Sequence, residues 1–265
     1  MPSLKEIKTR IASVNITRKI TSAMKMVASS KLHHAQIAIQ NMLPYENMLE
    51  HILKSFLVST PNVEHELQVE HKVIKRVALV VYSSNSSLCG GFNSNVIKMM
   101  MQAVDEYKAQ GIDDITVYPI GRKVAEKAQK LGLKTGGNFM DLADHPNAQV
   151  CADIAQKLAQ QYAAGELDKV EMIYHHFKSA GSQILTQKTF LPIDLSTEAI
   201  GGDNDRDLTS NVATAKVQEY LRKKQAEDEE RQKSEVKPLN DDFIVEPDLE
   251  TVLGVLIPKQ LRLMI

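Results

Sequence analysis

Residues 4–57 read LKEIKTRIASVNITRKITSAMKMVASSKLHHAQIAIQNMLPYENMLEHILKSFL, a stretch without glycine and with one proline, Pro44. Its apolar residues recur in steps of three and four that average near 3.5, a spacing typical of coiled-coil helices. At ~1.5 Å per residue, one helix of this length would span roughly 80 Å, more than a single small domain. We therefore predict a long N-terminal coiled-coil helix over residues 1–58. The apolar positions that carry this pattern are Leu4, Ile7, Ile11, Val14, Met24, Ala28, Ala35, Ala38, Met42, Tyr45, Leu49, Ile52 and Phe56.

The apolar pattern of this helix is interrupted around Thr17, Arg18 and Thr21, and again near Lys31. Two interpretations are open: a local stutter in the coiled coil, or a stretch that faces another protein. Charge is also uneven here, because seven basic residues precede residue 36 against the single acid Glu6. A basic end of this kind favours an acidic partner surface.

The sequence changes character after a polar connection that starts at Pro61. The run RVALVVY at 76–82 is continuous and β-branched, as in strands buried on both faces of a parallel sheet. Alternating strands and helices follow, which predicts an open Rossmann-like α/β domain over residues 72–215. The expected helices cover 95–110, 122–131 and 147–163, and the expected strands cover 115–120, 170–177 and 183–191, the last two being a candidate pair.

The C-terminal part of the chain is divided by composition. Residues 216–240 are densely and oppositely charged, which indicates a charged insertion or linker. Residues 241–265 follow, where Asp248 is placed to cap a helix that continues past Pro258 to Ile265.

Little in the sequence points to catalysis, a metal or a cofactor. The loop after the first strand contains Gly90-Gly91 but matches neither GxGxxG nor GxxxxGK[ST], so a tight turn with positive φ is favoured over a phosphate site. Cys89 and Cys151 form no CxxC pair, and the adjacent histidines at 33–34 and 175–176 point in different directions. Aromatic residues make up 5% with no Trp, which argues against stacking on nucleic-acid bases.

Three sequence blocks resemble the F-type ATP synthase gamma subunit of bacterial type. The first is ITSAMKMVASSKL at 20–32, the second SNSSLCGGFN at 84–93 and the third DFIVEPD at 242–248. The second block departs from the family's SDRGLCGGFN at Asn85, Ser86 and Ser87. The resemblance covers essentially the whole chain.

The resemblance implies a non-catalytic rotor. N- and C-terminal helices would wind as an antiparallel coiled coil inside a ring of alpha and beta subunits, and the α/β domain would contact the epsilon subunit and the c-ring. ATP would be made on beta, no cofactor is expected, and the chain would sit peripherally at the cytoplasmic face of the bacterial inner membrane, held indirectly through the c-ring.

The resemblance also assigns residues. Expected contacts with the alpha/beta ring are Arg18, Ile20, Thr21, Met24, Lys25, Val27 and Lys31. Expected contacts with epsilon or the c-ring are Phe243 and Glu246. The residues of the family's structural loop are Leu88, Cys89, Gly90, Gly91, Phe92 and Asn93.

Two features of the chain depart from the family, and two other functions remain as alternatives. The first departure is the charged stretch, which is longer than in many relatives. The second is the C-terminal helix, which in the family continues many turns beyond the point matching Ile265, so most of that helix is expected to be missing. The alternatives are an α/β nucleotide-binding enzyme with a helical oligomerisation arm, and a coiled-coil adaptor.

Overall fold

The computed structural model describes residues 3–59, 66–194, 246 and 248–265. Helix α1 spans Leu4–Ser59 and continues through Pro44, which confirms the predicted long N-terminal helix. It begins with a capping box, because Ser3 N donates to Glu6 Oε2 (2.7 Å) and Glu6 N donates to Ser3 Oγ (3.3 Å). Residues up to Tyr45 belong to one compact unit, and residues from Glu46 onward in α1 belong to a second that also contains the sheet.

A five-stranded sheet has the order β3-β2-β1-β4-β5. The strands β1 to β4 run parallel, and β5 pairs antiparallel with β4 through the turn at residues 180–181. This mixed sheet confirms the α/β class and the pairing of the last two predicted strands. The strands are β1 Arg76–Tyr82, β2 Asp114–Ile120, β3 Lys134–Thr135, β4 Lys169–Ser179 and β5 Ser182–Leu191.

Four further helices are described with the sheet or after it. They are α2 Phe92–Ala109, α3 Arg122–Lys130, α4 Ala148–Ala163 and α5 Leu249–Met264, with one 3-10 turn at Asp141–Ala143. Helix α5 starts where the sequence predicted, since the Asp248 carboxylate accepts from Thr251 N at 2.8 Å. Helix α2 starts three residues earlier than predicted, directly after the glycine pair of the loop.

The sheet packs a separate hydrophobic core on each face. Val77, Leu79 and Val81 pack with side chains of α2 and α3, whereas Ala78 and Val80 pack on the opposite side with α4. All five are fully buried, which is why β1 is a continuous apolar run instead of an alternating one.

Helix α5 and the last turns of α1 complete the second core. Leu253, Ile257 and Leu261 of α5 are buried there, at steps of four residues that place them on one face of the helix. The same cluster contains Leu49, Leu53 and Phe56 of α1. The α/β domain therefore incorporates elements from both ends of the described chain. The expected charged insertion at 216–240 lies outside the described residues.

Candidate functional site

The loop between β1 and α2 is organised around the side chain of Asn93. Its Oδ1 accepts from the backbone N–H of Ser84 at 2.9 Å, and its Nδ2 donates to the carbonyl oxygen of Ser86 at 2.8 Å. The same Nδ2 lies 3.1 Å from Cys89 Sγ. Asn93 is only 8% exposed, so one buried amide fixes three points of the loop.

The other residues of the family-type loop complete the turn into α2. Gly90 has φ +56°, as expected for a turn that needs glycine, and Gly91 occupies the N-cap position of α2. Phe92 stacks on the His175 ring of β4, with ring centroids 4.0 Å apart. Burial lowers the pKa of His175. Leu88, at the tip of the loop, is 79% exposed.

The N-terminus of α3 is capped by side chains from this same loop. Ser83 Oγ accepts from Val124 N at 3.1 Å, and Asn85 Oδ1 accepts from Arg122 N at 2.7 Å. Gly121 before the helix has φ +98° and offers no side chain of its own. In nucleotide-binding α/β proteins, free N–H groups at helix N-termini bind phosphates. At α3, two of these N–H groups already donate to side chains of the protein itself and are therefore not free to bind a phosphate.

The polar stretch of α1 is exposed along its length. Ile20 is 56% exposed, Met24 47% and Val27 61%. Thr21 turns its hydroxyl back onto the helix, donating to the Thr17 carbonyl at 3.0 Å. The described structure thus gathers these residues on one helix, without deciding between a stutter and a partner surface.

The basic residues of this stretch are exposed as well. Arg18, Lys25 and Lys31 make no ion pair within the described parts of the chain. The nearby acid, Glu6, is engaged with Ser3 in the capping box. Within the part of the chain that the structure describes, the positive charge of the stretch is therefore not neutralised.

The expected foot residues are only partly described. Glu246 is exposed and lies outside any helix or strand, directly before α5. Phe243 lies outside the described residues.

A buried carboxylate at the other end of the sheet, where the parallel strands β1 and β4 begin, was not predicted. Asp168 precedes β4, is 6% exposed and accepts from the backbone N–H of Lys75 and of Arg76, both at 2.9 Å. Its other oxygen lies 2.9 Å from His71 Nδ1, and the His71 ring stacks on Tyr162 at 4.6 Å. Burial opposes ionisation, but these hydrogen bonds outweigh it and lower the pKa of Asp168 to about 2.

This cluster joins the connection before β1 to the sheet. Tyr162 donates from its hydroxyl to the Val69 carbonyl at 2.6 Å, which adds a second attachment point. Every strong partner of Asp168 is a group of the chain itself, so we interpret the cluster as an anchor.

The described residues offer neither a metal centre nor a membrane-spanning helix. No group of three or more His, Cys, Asp or Glu side chains there could hold a metal ion. No helix among them is both long and apolar enough to cross a membrane.

Sequence comparisons with known proteins give one family over nearly the whole chain. The family model described as ATP synthase matches residues 3–265. An ATP synthase gamma chain of Phocaeicola vulgatus is 48% identical over 263 residues, which cover 99% of this chain and 79% of that protein. One of Synechococcus sp. is 34% identical over 98% of this chain and 79% of its own length. Among solved structures, the central stalk and c-ring of the Tetrahymena thermophila mitochondrial ATP synthase contains a chain with TM-score 0.48 and 21% identity, matched over 92% of this chain and 88% of that one. The chain belongs to the family of ATP synthase gamma chains.

Proposed function

We propose that this chain is the central-stalk rotor subunit of a proton-translocating F-type ATP synthase, coupling rotation of the c-ring to ATP synthesis on the beta subunits. The observation that carries the proposal is the 48% identity to an ATP synthase gamma chain over 99% of the chain. The fold is consistent with that role, because a 56-residue helix precedes a compact α/β domain. Family membership makes the chain a subunit of an enzyme complex, and the prediction of a non-catalytic subunit follows from it.

The proposed contact with the alpha/beta ring is the α1 stretch from Arg18 to Lys31. Its apolar side chains Ile20, Met24 and Val27 are about half exposed or more. Its basic side chains have no described partner and would favour an acidic surface on beta. Large apolar side chains beside unpaired charge are typical of an interface that another protein covers.

The proposed foot is the α/β domain at residues 72–215. The proposed shaft consists of the N-terminal helix at 1–58 and a C-terminal segment at 241–265. Residues 216–240 are proposed to be a charged linker between foot and C-terminal segment. Epsilon and the c-ring are its proposed partners, with Phe243 and Glu246 among the contacts. Membrane association would then be indirect, through the c-ring at the cytoplasmic face of a bacterial inner membrane.

Reversing the charge of the shaft tests the proposal. In an assembled ATP synthase that contains this chain, Arg18→Glu, Lys25→Glu and Lys31→Glu together should reduce ATP-driven proton pumping relative to ATP hydrolysis. Exposed ion pairs contribute only ~0–1 kcal/mol each, so Lys25→Ala alone should change little.

A matched control separates the shaft from total charge. Lys98→Glu, Lys108→Glu and Lys130→Glu change net charge equally at exposed positions of the α/β domain and should leave the ratio of pumping to hydrolysis closer to the parent. An unchanged ratio in the shaft variant would refute the proposed contact. For the foot, Phe243→Ala with Glu246→Ala should reduce retention of epsilon or the c-ring during purification, and undiminished retention of both would count against that assignment.

A further inference from the structure

The side chain of Asn85 connects three segments that are distant in sequence. Its Oδ1 accepts from Arg122 N at the start of α3 (2.7 Å), while its Nδ2 donates to the Met140 carbonyl (2.9 Å) and to Asp144 Oδ2 (2.7 Å). The Asn85 carbonyl also accepts from Arg122 Nη2 at 2.5 Å. The loop after β1, the first turn of α3 and the segment 139–145 therefore meet at one amide.

The polarity of this junction requires both ends of an amide. One side presents a backbone donor, the N–H of Arg122, and the other presents two acceptors, the Met140 carbonyl and the Asp144 carboxylate. Only Asn or Gln carries an acceptor and a two-proton donor on the same planar group, and Gln is one methylene longer. A carboxylate would suit the first side, because negative charge is favourable at a helix N-terminus, but it would place oxygen against oxygen on the second.

Apart from Asn85, the segment is held mainly by apolar contacts, because Phe139 and Leu142 pack against the core and Phe139 stacks on Tyr118. Phe139 forms an isolated bridge with Ile120 at the end of β2, and its carbonyl accepts from Gly121 N at 3.3 Å. Beyond it, the 3-10 turn carries no side-chain cap, and Asp144 is exposed. The amide of Asn85 is thus a principal link between this segment and the loop that carries the exposed Leu88.

We propose that Asn85 is a latch that couples the loop 83–91 to the segment 139–145, and that the latch depends on its amide N–H₂ group. The Oδ1 side caps α3 and tolerates a carboxylate. The Nδ2 side holds the segment 139–145 and does not tolerate a carboxylate. The two halves can therefore be separated by one substitution, Asn85→Asp. The latch goes beyond the rotor role and does not depend on it.

Hydrogen exchange of individual backbone amides in the full chain tests the latch. Asn85→Asp should increase the exchange rates of the Met140, Asp144 and His145 amides roughly ten-fold. Losing a hydrogen bond and placing two acceptors against each other should raise the equilibrium constant for opening the segment by about ten-fold or more. The amide of Arg122 should keep its protection, because its acceptor remains. Asn85→Ala should lose protection at both places.

Compensation and a matched control sharpen the test. Adding Asp144→Asn to Asn85→Asp should recover part of the protection, since the new amide at 144 can donate to the new carboxylate at 85. Asn95→Asp makes the same chemical change at an exposed position of α2 and should leave residues 139–145 unaffected.

Two outcomes in Asn85→Asp would overturn the proposal. One is exchange at 139–145 in Asn85→Asp that matches the Asn95→Asp control. The other is equal loss of protection at Arg122 and in 139–145, which would indicate general loosening of the loop. Asp144→Ala gives an independent reading, because it removes one acceptor without touching α3. It should loosen 139–145 alone, and unchanged exchange there would also contradict the latch.

Discussion

Replacing Asp168 with asparagine should destabilise the α/β domain strongly for a single-atom change. The carboxylate accepts two backbone N–H groups at the start of β1 and faces His71 Nδ1. An amide at this place can keep only one oxygen as acceptor and carries no charge to match Arg76, whose Nε lies 3.5 Å away. We expect the connection before β1 to lose its attachment to β4 more readily in Asp168→Asn.

The pKa of Asp168 sets the size and the pH dependence of the effect. It is lowered from an ordinary 3.8 to about 2, which at 1.36 kcal/mol per pH unit amounts to roughly 2 kcal/mol of stability. Because the folded state holds the ionised form, this contribution is fully present above the unfolded value and is lost as pH falls through the folded one. The difference between parent and variant should therefore be constant near neutral pH and shrink between pH 3.8 and about 2.

Urea unfolding followed by far-ultraviolet circular dichroism measures this difference across pH. Asp114→Asn is the matched control, because Asp114 pairs with Lys134 at 3.1 Å while its side chain is 48% exposed, and such pairs contribute only ~0–1 kcal/mol. A cost of Asp168→Asn no greater than that of this control at neutral pH would contradict a stabilising role for the carboxylate. A cost that is the same at pH 2 as at pH 7 would contradict it as well.

Two further predictions follow from the loop after β1. Gly121→Ala should destabilise the protein by roughly 2–4 kcal/mol, because its φ is +98° and a Cβ there would lie 2.1 Å from the Ser83 carbonyl oxygen. Gly132→Ala is the control, since Gly132 also has positive φ but a Cβ there would meet nothing within 4 Å, and it should cost about 1 kcal/mol in the same denaturation assay. Equal costs for the two variants would contradict the steric argument. Isothermal titration calorimetry of the isolated chain with ATP should give no saturable binding in the micromolar range. The reasons are that Ser83 and Asn85 already accept hydrogen bonds from two N–H groups of α3 and that no lysine directly follows the glycine pair. Micromolar affinity would favour the nucleotide-binding alternative.

The elements with a strong periodic or apolar signal were predictable from sequence. The β-branched run at 76–82 predicted β1 with both ends correct, and α1 extends one residue beyond its predicted end at 58. The cap at Asp248 located α5 because the signal is local: a side chain bonds to an amide three residues away. Strand β3 was missed because two residues are too short for any periodicity.

The contacts that hold the loops were beyond sequence reasoning. Asp168 and His71 are 97 residues apart in the chain, and neither stands in a motif. In the sequence, Asn85 stands out only as a departure from a family loop, and its partner Asp144 is 59 residues away. Which face of α1 contacts another protein stays a prediction, since exposure of Arg18 or Lys25 is compatible with either interpretation of the polar stretch.

Assembly with alpha and beta subunits is the decisive test of the rotor assignment. The affinity-tagged chain, co-produced with the alpha and beta subunits of the same organism, should co-purify with both through gel filtration as one complex. Arg18→Glu, Lys25→Glu and Lys31→Glu together should weaken that complex, and the charge-matched variant of the α/β domain should do so less. A chain that folds, as judged by circular dichroism, yet elutes free of alpha and beta would contradict the account of this protein as the rotor of an ATP synthase.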